Sequence, residues 1–94
     1  MSREYYWETN DEILLDLVSR FKRIRKRKNI TQKKLSEISN VSYASIKRFE
    51  QTGEISLSSL VKICVALNIQ DQIKKLFKDV EYRSVEEIIN ENRF

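Results

Sequence analysis

The sequence predicts an all-α protein of five to six short helices. Its 94 residues contain no proline and a single glycine, so few positions favour breaking a helix. Hydrophobic residues recur at helical spacing along the chain, and residues suited to capping helices stand between those segments. A content of 40% hydrophobic and 34% charged residues is typical of a globular protein with one small core. We therefore expect one domain over residues 1–94.

The first helix is predicted from its capping signal and its apolar spacing. Thr9 and Glu12 have the spacing of a capping box, and the helix is expected to end near Asn29. Its predicted core face consists of Ile13, Leu17, Phe21 and Ile24. Further apolar surface is predicted at Leu14, Leu15 and Val18. Either a second copy of this chain or the lead-in, residues 1–9 with Tyr5, Tyr6 and Trp7, is expected to cover that surface.

Residues 31–50, TQKKLSEISNVSYASIKRFE, predict two short helices separated by a three-residue break. Thr31 and Ser42 can cap the two N-termini, and Asn40 tolerates the left-handed conformation that often ends a helix. The predicted inward residues are Leu35, Ile38 and Ser39 in the first helix, and Val41, Ile46 and Phe49 in the turn and second helix. The opposite face of the second helix is a polar, basic stripe of Tyr43, Ala44, Lys47, Arg48 and Gln51. This is the arrangement of a helix-turn-helix motif.

The remaining helices follow from similar signals. Gly53 is a predicted C-terminal cap, Ser56 begins a fourth helix and Asn68 ends it. The fourth helix is expected to be the most buried, lined by Leu57, Leu60, Val61, Cys64 and Leu67, with Ile63, Val65 and Ala66 around it. The predicted inward face of a fifth helix is Ile69, Ile73, Leu76, Phe77 and Val80. A tail helix over residues 84–92, capped by Ser84 and Glu87, is a dimerisation or docking element bearing Val85, Ile88 and Ile89.

Positive charge is concentrated around the predicted motif. The whole chain has a formal net charge of +4, but residues 20–50 alone hold eleven basic and two acidic residues, a net charge of +9. Part of the basic run after Arg25 is explained by the preference of cations for a helix C-terminus. Because the run adjoins a motif with DNA-binding geometry, we interpret the charge as the footprint of a polyanionic partner.

The motif resembles a known family. The pattern is carried by Arg25, Thr31, Gln32, Leu35, Val41, Ser42, Ile46, Phe49, Glu50 and Gly53. Together these residues are similar to the lambda-repressor-like helix-turn-helix family of the xenobiotic-response-element type, over about residues 17–78. Ser36 and Asn40 depart from the usual alanine and glycine but preserve the geometry. The resemblance implies a DNA-binding fold with the motif at helices 2 and 3, and a scaffold pair between Arg25 and Glu50.

Four residues are predicted to contact the phosphates of double-stranded DNA. Gln32 and Ser42 stand at helix starts, where backbone N–H groups bind anions. Lys33 is a predicted phosphate contact without sequence preference. The resemblance implies a phosphate contact for Gln51.

Four residues are predicted to face the bases. Arg48 is suited to bidentate contact with guanine O6 and N7, and Ala44 to contact with a thymine methyl group. Lys47 lies on the same face. For Tyr43 the sequence leaves open whether the ring stacks or contacts the sugar–phosphate backbone.

These residues predict a sequence-specific transcriptional regulator, a repressor that binds a palindromic operator as a homodimer. The alternative is an antitoxin that binds a toxin protein as well as operator DNA. Residues 49–69, FEQTGEISLSSLVKICVALNI, are similar to small regulators that accompany HipA-type kinase toxins. A restriction–modification controller protein is a third possibility.

Several other classes are disfavoured. The chain has no histidine and one cysteine, Cys64, among apolar neighbours, so no enzyme, metal site or cofactor is expected. A single glycine leaves no glycine-rich loop for a nucleotide. The acidic residues Asp11, Glu12 and Asp16 suit a helix N-terminus. With no membrane-length apolar stretch and no signal-peptide pattern, a cytoplasmic location is expected.

Overall fold

The computed structural model describes residues 8–79 and 89–91, and these residues form helices connected by short turns. The helices are α1 (Asn10–Arg27), α2 (Gln32–Ser39), α3 (Tyr43–Thr52), α4 (Leu57–Ala66) and α5 (Gln70–Lys74). Residues 89–91 are also helical. Within this described part of the chain there is no strand. The predicted all-α fold is confirmed.

Side-chain caps begin the first four helices as predicted. At α1 a complete capping box forms: the Glu12 N–H donates to Thr9 Oγ1 over 3.1 Å, and the Thr9 N–H donates to Glu12 Oε1 over 3.4 Å. Thr31, Ser42 and Ser56 each accept a hydrogen bond from the backbone N–H three residues later. These bonds satisfy donors that a first helical turn leaves unpaired, which is why short helices begin at these residues.

Left-handed residues end the same four helices. Asn29, Asn40 and Asn68 have φ angles of 57°, 61° and 60°, and Gly53 after α3 has a φ of 82°. Glycine is required at position 53 for two reasons. It adopts this positive φ angle without steric cost, and a Cβ here would lie 2.5 Å from Leu14 Cγ. The close approach places the end of α3 directly against α1.

The core lies between α1, α2, α3 and α4. It consists of Val18, Phe21, Leu35, Val41, Ile46, Phe49, Ile63, Cys64 and Leu67. The rings of Phe21 and Phe49 meet edge to face with centroids 5.2 Å apart, which joins α1 to α3. Leu35 and Ile46 are fully buried where α2 packs on α3. Burial of its inner face against both neighbours fixes α3 and leaves its other face exposed.

The buried edge of α1 differs from the prediction. Ile13 and Leu17, predicted core residues, are 50% and 51% exposed, whereas Val18, predicted as surface, is buried. Phe21 is buried as predicted, and the other buried residues of α1 are Val18 and Arg25. The apolar stripe on this helix is wide, and α3 packs against one edge of it, so periodicity alone did not identify the buried edge.

The same kind of error affects α2 and α4. Ile38 was predicted to point inward but is exposed, and so are Leu57, Val61 and Val65 on α4. The prediction that α4 is the most buried helix is therefore wrong. Its inward face is formed by Leu60, Ile63, Cys64 and Leu67, because α2 and α5 pack against that side.

The fifth helix is shorter than predicted. It ends at Lys74, and no side chain caps its N-terminus. Among the described residues of its predicted face, only Ile69 and Ile73 pack against the core. Phe77 has a φ of 60° and is 88% exposed. The described residues do not include Val80, residues 84–88 and 92 of the predicted tail helix, or the Tyr5–Trp7 rings. In the part that is described, no helix combines the length and hydrophobicity needed to cross a membrane.

Candidate nucleic-acid interface

The outer face of α3 presents the predicted polar stripe to solvent. Its exposed residues are Tyr43, Ala44, Lys47, Arg48 and Gln51. The Nζ atom of Lys47 lies 5.3 Å from the centroid of the Tyr43 ring, within range of a cation–π interaction. The structure thus brings these five predicted residues together on one side of one helix.

The first turn of α2 lies beside α3. Gln32 is half-buried, and its Nε2 donates to Glu50 Oε1 over 2.9 Å, which ties the start of α2 to the second half of α3. Lys33, the next residue, is exposed. Gln32 therefore already has a protein partner, while its second amide hydrogen and the backbone N–H groups of Gln32 and Lys33 stay available to an anion, the Lys34 N–H being bound to Thr31.

Ser42 is exposed at the start of α3. Its Oγ accepts the backbone N–H of Ser45 over 3.1 Å, and its hydroxyl donates to Ser45 Oγ over 2.7 Å. The side chain is thus engaged in capping. A phosphate at this helix end would be bound by backbone N–H groups of the first turn.

A buried ion pair fixes α3 against α1. Arg25 Nε donates to Glu50 Oε2 over 2.6 Å and Arg25 Nη2 donates to Glu50 Oε1 over 2.8 Å, while Arg25 Nη1 donates to the Ile30 carbonyl over 2.9 Å. The two side chains are 8% and 1% exposed. The bidentate geometry supports the pair that the family resemblance implies, and burial keeps both side chains out of the exposed face of α3.

The surroundings of Glu50 keep it ionised. Burial alone would raise the pKa of its carboxyl group, but hydrogen bonds from Arg25 and Gln32, with the positive charges of Arg25 and Lys22, outweigh burial and hold the pKa below its usual value. The carboxylate therefore remains a partner for Arg25 at neutral pH. The joint between α1, α2 and α3 depends on that charge.

One polar contact at the exposed face was not predicted. Arg48 Nη2 donates to Glu54 Oε1 over 3.1 Å and to Oε2 over 2.9 Å, with both side chains largely exposed. Glu54 follows Gly53, beyond the end of α3. Periodicity within a helix does not relate residues across a helix end, so the only available signal was an acidic residue next to a predicted turn.

A second basic surface was also missed. A shallow depression along α1 is lined by Ser19, Lys22, Arg23, Lys26 and Arg27. These residues recur at i, i+3, i+4, i+7 and i+8, the spacing of a single helical face. The charge concentrated in residues 20–50 is therefore divided between α1 and the helix-turn-helix.

Comparison with protein families identifies the fold. A family model described as the Cro/C1-type HTH DNA-binding domain matches residues 20–81. The chain belongs to this family. No curated protein matches the chain significantly, and neither does any solved structure.

In this Cro/C1-type domain, α2 and α3 are the helix-turn-helix, and α3 is its recognition helix. Helix-turn-helix proteins insert that helix into the major groove of DNA. The exposed stripe described above lies on this helix. Domains of this family bind DNA and are typically not enzymes.

Potential metal ligands and the cysteine of this Cro/C1-type domain can be checked in its described residues. Among residues 8–79 and 89–91, no three or more side chains of the types that bind metals come together. Cys64 is buried, and burial raises the pKa of its thiol, which disfavours the reactive thiolate at neutral pH. It serves as a small core residue.

Proposed function

We propose that the protein is a sequence-specific transcriptional repressor that occupies a palindromic operator as a homodimer. The observation that carries this proposal is the exposed outer face of α3, held rigidly by the buried pair of Arg25 and Glu50. A rigid helix with an exposed basic stripe can hold its side chains in register with base edges.

Each residue of the exposed face has a proposed role. Arg48 reads guanine O6 and N7 through two donors, and Ala44 contacts a thymine methyl group. Lys47 and Tyr43, already in contact with each other, border the same base pairs. Together these residues provide the sequence information.

Phosphate contacts surround this reading surface. Lys33 on α2 and Gln51 on α3 are both exposed and contribute two of these contacts. The backbone N–H groups that follow Thr31 and Ser42, together with the Gln32 amide, provide anion sites at two helix starts. These contacts position the domain on DNA without selecting a sequence.

A dimer follows from the small size of the reading surface. One recognition helix covers too few base pairs to define a unique genomic site, whereas two copies about 34 Å apart would read a palindrome. We place the dimer surface at a groove of about 200 Å³ between α1 and α5, whose rims are Leu17 and Leu76. Both rim residues are half exposed, and Ile13 extends the apolar surface by one turn of α1.

Selection of DNA from a random pool tests the proposal. The purified protein is expected to enrich one sequence with two inverted half-sites about one helical turn apart. Affinity for that duplex and for a shuffled duplex is then measured at several salt concentrations. Enrichment of no sequence, or equal affinity for both duplexes, would contradict sequence-specific binding.

A second candidate is an antitoxin that holds a toxin kinase of the HipA type in addition to operator DNA. The observation that favours it is an exposed apolar stripe on α4, formed by Leu57, Val61 and Val65 at i, i+4 and i+8. None of these residues belongs to the proposed DNA surface, so a protein could bind them while DNA is bound.

The antitoxin proposal predicts that a neighbouring gene encodes a HipA-type kinase, and that kinase is the partner used in the test. Calorimetric titration should show stoichiometric binding that Val65→Glu abolishes and Arg48→Ala leaves unchanged. No binding to the kinase, or binding that is insensitive to Val65→Glu, would contradict this role for α4.

A further inference from the structure

Three residues form a closed hydrogen-bonded ring at the end of α3. The Thr52 hydroxyl donates to the Arg48 carbonyl over 2.7 Å, and the Glu54 N–H donates to Thr52 Oγ1 over 3.1 Å. Arg48 Nη2 then donates to both carboxylate oxygens of Glu54, over 3.1 and 2.9 Å. Arg48 is therefore held by hydrogen bonds at both its backbone carbonyl and its guanidinium group.

The backbone fixes where Glu54 stands. Gly53 reverses the chain with a φ of 82°, and its lack of a Cβ lets Leu14 pack closely against it. Glu54 leaves this turn with its N–H bound to Thr52. The carboxylate is thus held next to the recognition helix by local geometry.

The pair contributes little to folding. Both side chains are more than 60% exposed, and exposed ion pairs stabilise proteins by about 0–1 kcal/mol. Its consequence lies in the position of the guanidinium. Only Nη2 contacts Glu54, and because this nitrogen carries two N–H groups, the second can still act together with the adjacent Nε or Nη1 N–H at a guanine edge.

The negative charge of Glu54 also favours contact of Arg48 with a base over contact with a phosphate. A carboxylate on a basic, DNA-facing surface repels phosphate and offers Arg48 a partner that a phosphate would have to displace. We propose that Glu54 is a specificity-determining residue that orients Arg48 towards guanine and withholds it from the DNA backbone. This inference rests on the proposed function of α3 as the base-reading helix.

Glu54→Gln tests the inference, because it keeps the side-chain shape and removes the charge. Affinity is measured for the selected duplex and for a shuffled duplex. Glu54→Gln should raise affinity for the shuffled duplex. The ratio of affinity for the selected duplex to affinity for the shuffled duplex should fall by about 3- to 10-fold, which is part of the discrimination that a bidentate contact provides. An unchanged or increased ratio would overturn the proposal.

Glu37→Gln is the matched control. Glu37 is also an exposed glutamate in an ion pair, with Lys34 on α2 at 3.8 Å, and its substitution changes the net charge equally. We expect this variant to raise affinity for both duplexes alike and to leave their ratio unchanged. If Glu37→Gln lowered the ratio as much as Glu54→Gln, the effect would be one of net charge, and Glu54 would have no special role.

Combining substitutions shows whether Glu54 acts through Arg48. In an Arg48→Ala background, Glu54→Gln should no longer change the affinity ratio. A change that persists there would overturn the positioning role. Side-chain NMR of the free protein adds a test without DNA: the Arg48 guanidinium resonances should shift in Glu54→Gln and not in Glu37→Gln.

The outcomes separate this proposal from the proposed function. A wild-type protein that selects no DNA sequence refutes base reading by α3, and the role of Glu54 with it. A wild-type protein that selects a sequence, with a ratio insensitive to Glu54→Gln, refutes the role of Glu54 alone.

Discussion

Arg25 and Glu50 meet in the protein interior through two hydrogen bonds, 2.6 and 2.8 Å long, although they are 25 residues apart in sequence. Gln32 donates to the same carboxylate over 2.9 Å. One carboxylate therefore joins α1, the start of α2 and the recognition helix α3. The exposed residues of α3 depend on this joint for their position relative to α2.

Substitution of Glu50 by alanine is expected to destabilise the fold. Removal of one partner leaves the Arg25 guanidinium buried without its counter-ion, and such changes cost about 3–5 kcal/mol. Urea unfolding measures the loss, and DNA selection on the folded variant should return the wild-type sequence. Glu37→Ala, at an exposed site, is the control and should stay within about 0.5 kcal/mol of wild type. An unchanged stability with an altered operator preference would show that Glu50 reads DNA.

Acid should weaken the same joint. Because the pKa of Glu50 is lower in the folded protein than its ordinary value of 4.5, its charge stabilises the fold at neutral pH, and this contribution is lost as the pH falls below that value and through the folded pKa. Glu50→Gln has no group to titrate at this position. The difference in free energy of unfolding between wild type and Glu50→Gln should therefore narrow from pH 7 to pH 3. A constant or widening difference would contradict the assigned pKa direction.

Arg48 and Lys33 should respond differently to substitution. Arg48→Ala is expected to weaken binding to the selected duplex by about 1–3 kcal/mol and to relax preference at one base pair, because a bidentate base contact is lost. Lys33→Ala, the matched control, should weaken binding to all sequences alike and reduce the salt-dependence slope by about 1. If Arg48→Ala leaves both affinity and preference intact, Arg48 does not contact bases.

Leu17→Glu should separate the proposed dimer. The substitution places a charge on the rim of the α1–α5 groove, where an apolar contact between two copies would otherwise form. Sedimentation equilibrium at micromolar concentration should show a dimer for wild type and a monomer for this variant. Val65→Glu, on the exposed stripe of α4, is the control and should remain dimeric. If Val65→Glu were monomeric and Leu17→Glu dimeric, the dimer surface would lie on α4. A wild type that is monomeric with and without operator DNA would refute the dimer.

The sequence by itself determined where the first four helices begin and end. Capping bonds at Thr9, Thr31, Ser42 and Ser56 join atoms within one helical turn, so the residues that form them are close in sequence. The same holds for the left-handed asparagines and for Gly53. The exposed stripe on α3 was also predictable, because its spacing fixes a face once the helix is assigned.

Only the tertiary structure decided which edge of each apolar stripe is buried and that Arg48 pairs with Glu54. Ile13 and Val18 are equally suited to a core, and the position of α3 buries Val18 and leaves Ile13 exposed. Likewise, the αL turn at Gly53 brings Glu54 to Arg48 across a helix end. Helical periodicity specifies directions around a single axis, whereas burial and ion pairing depend on where the chain places a second element.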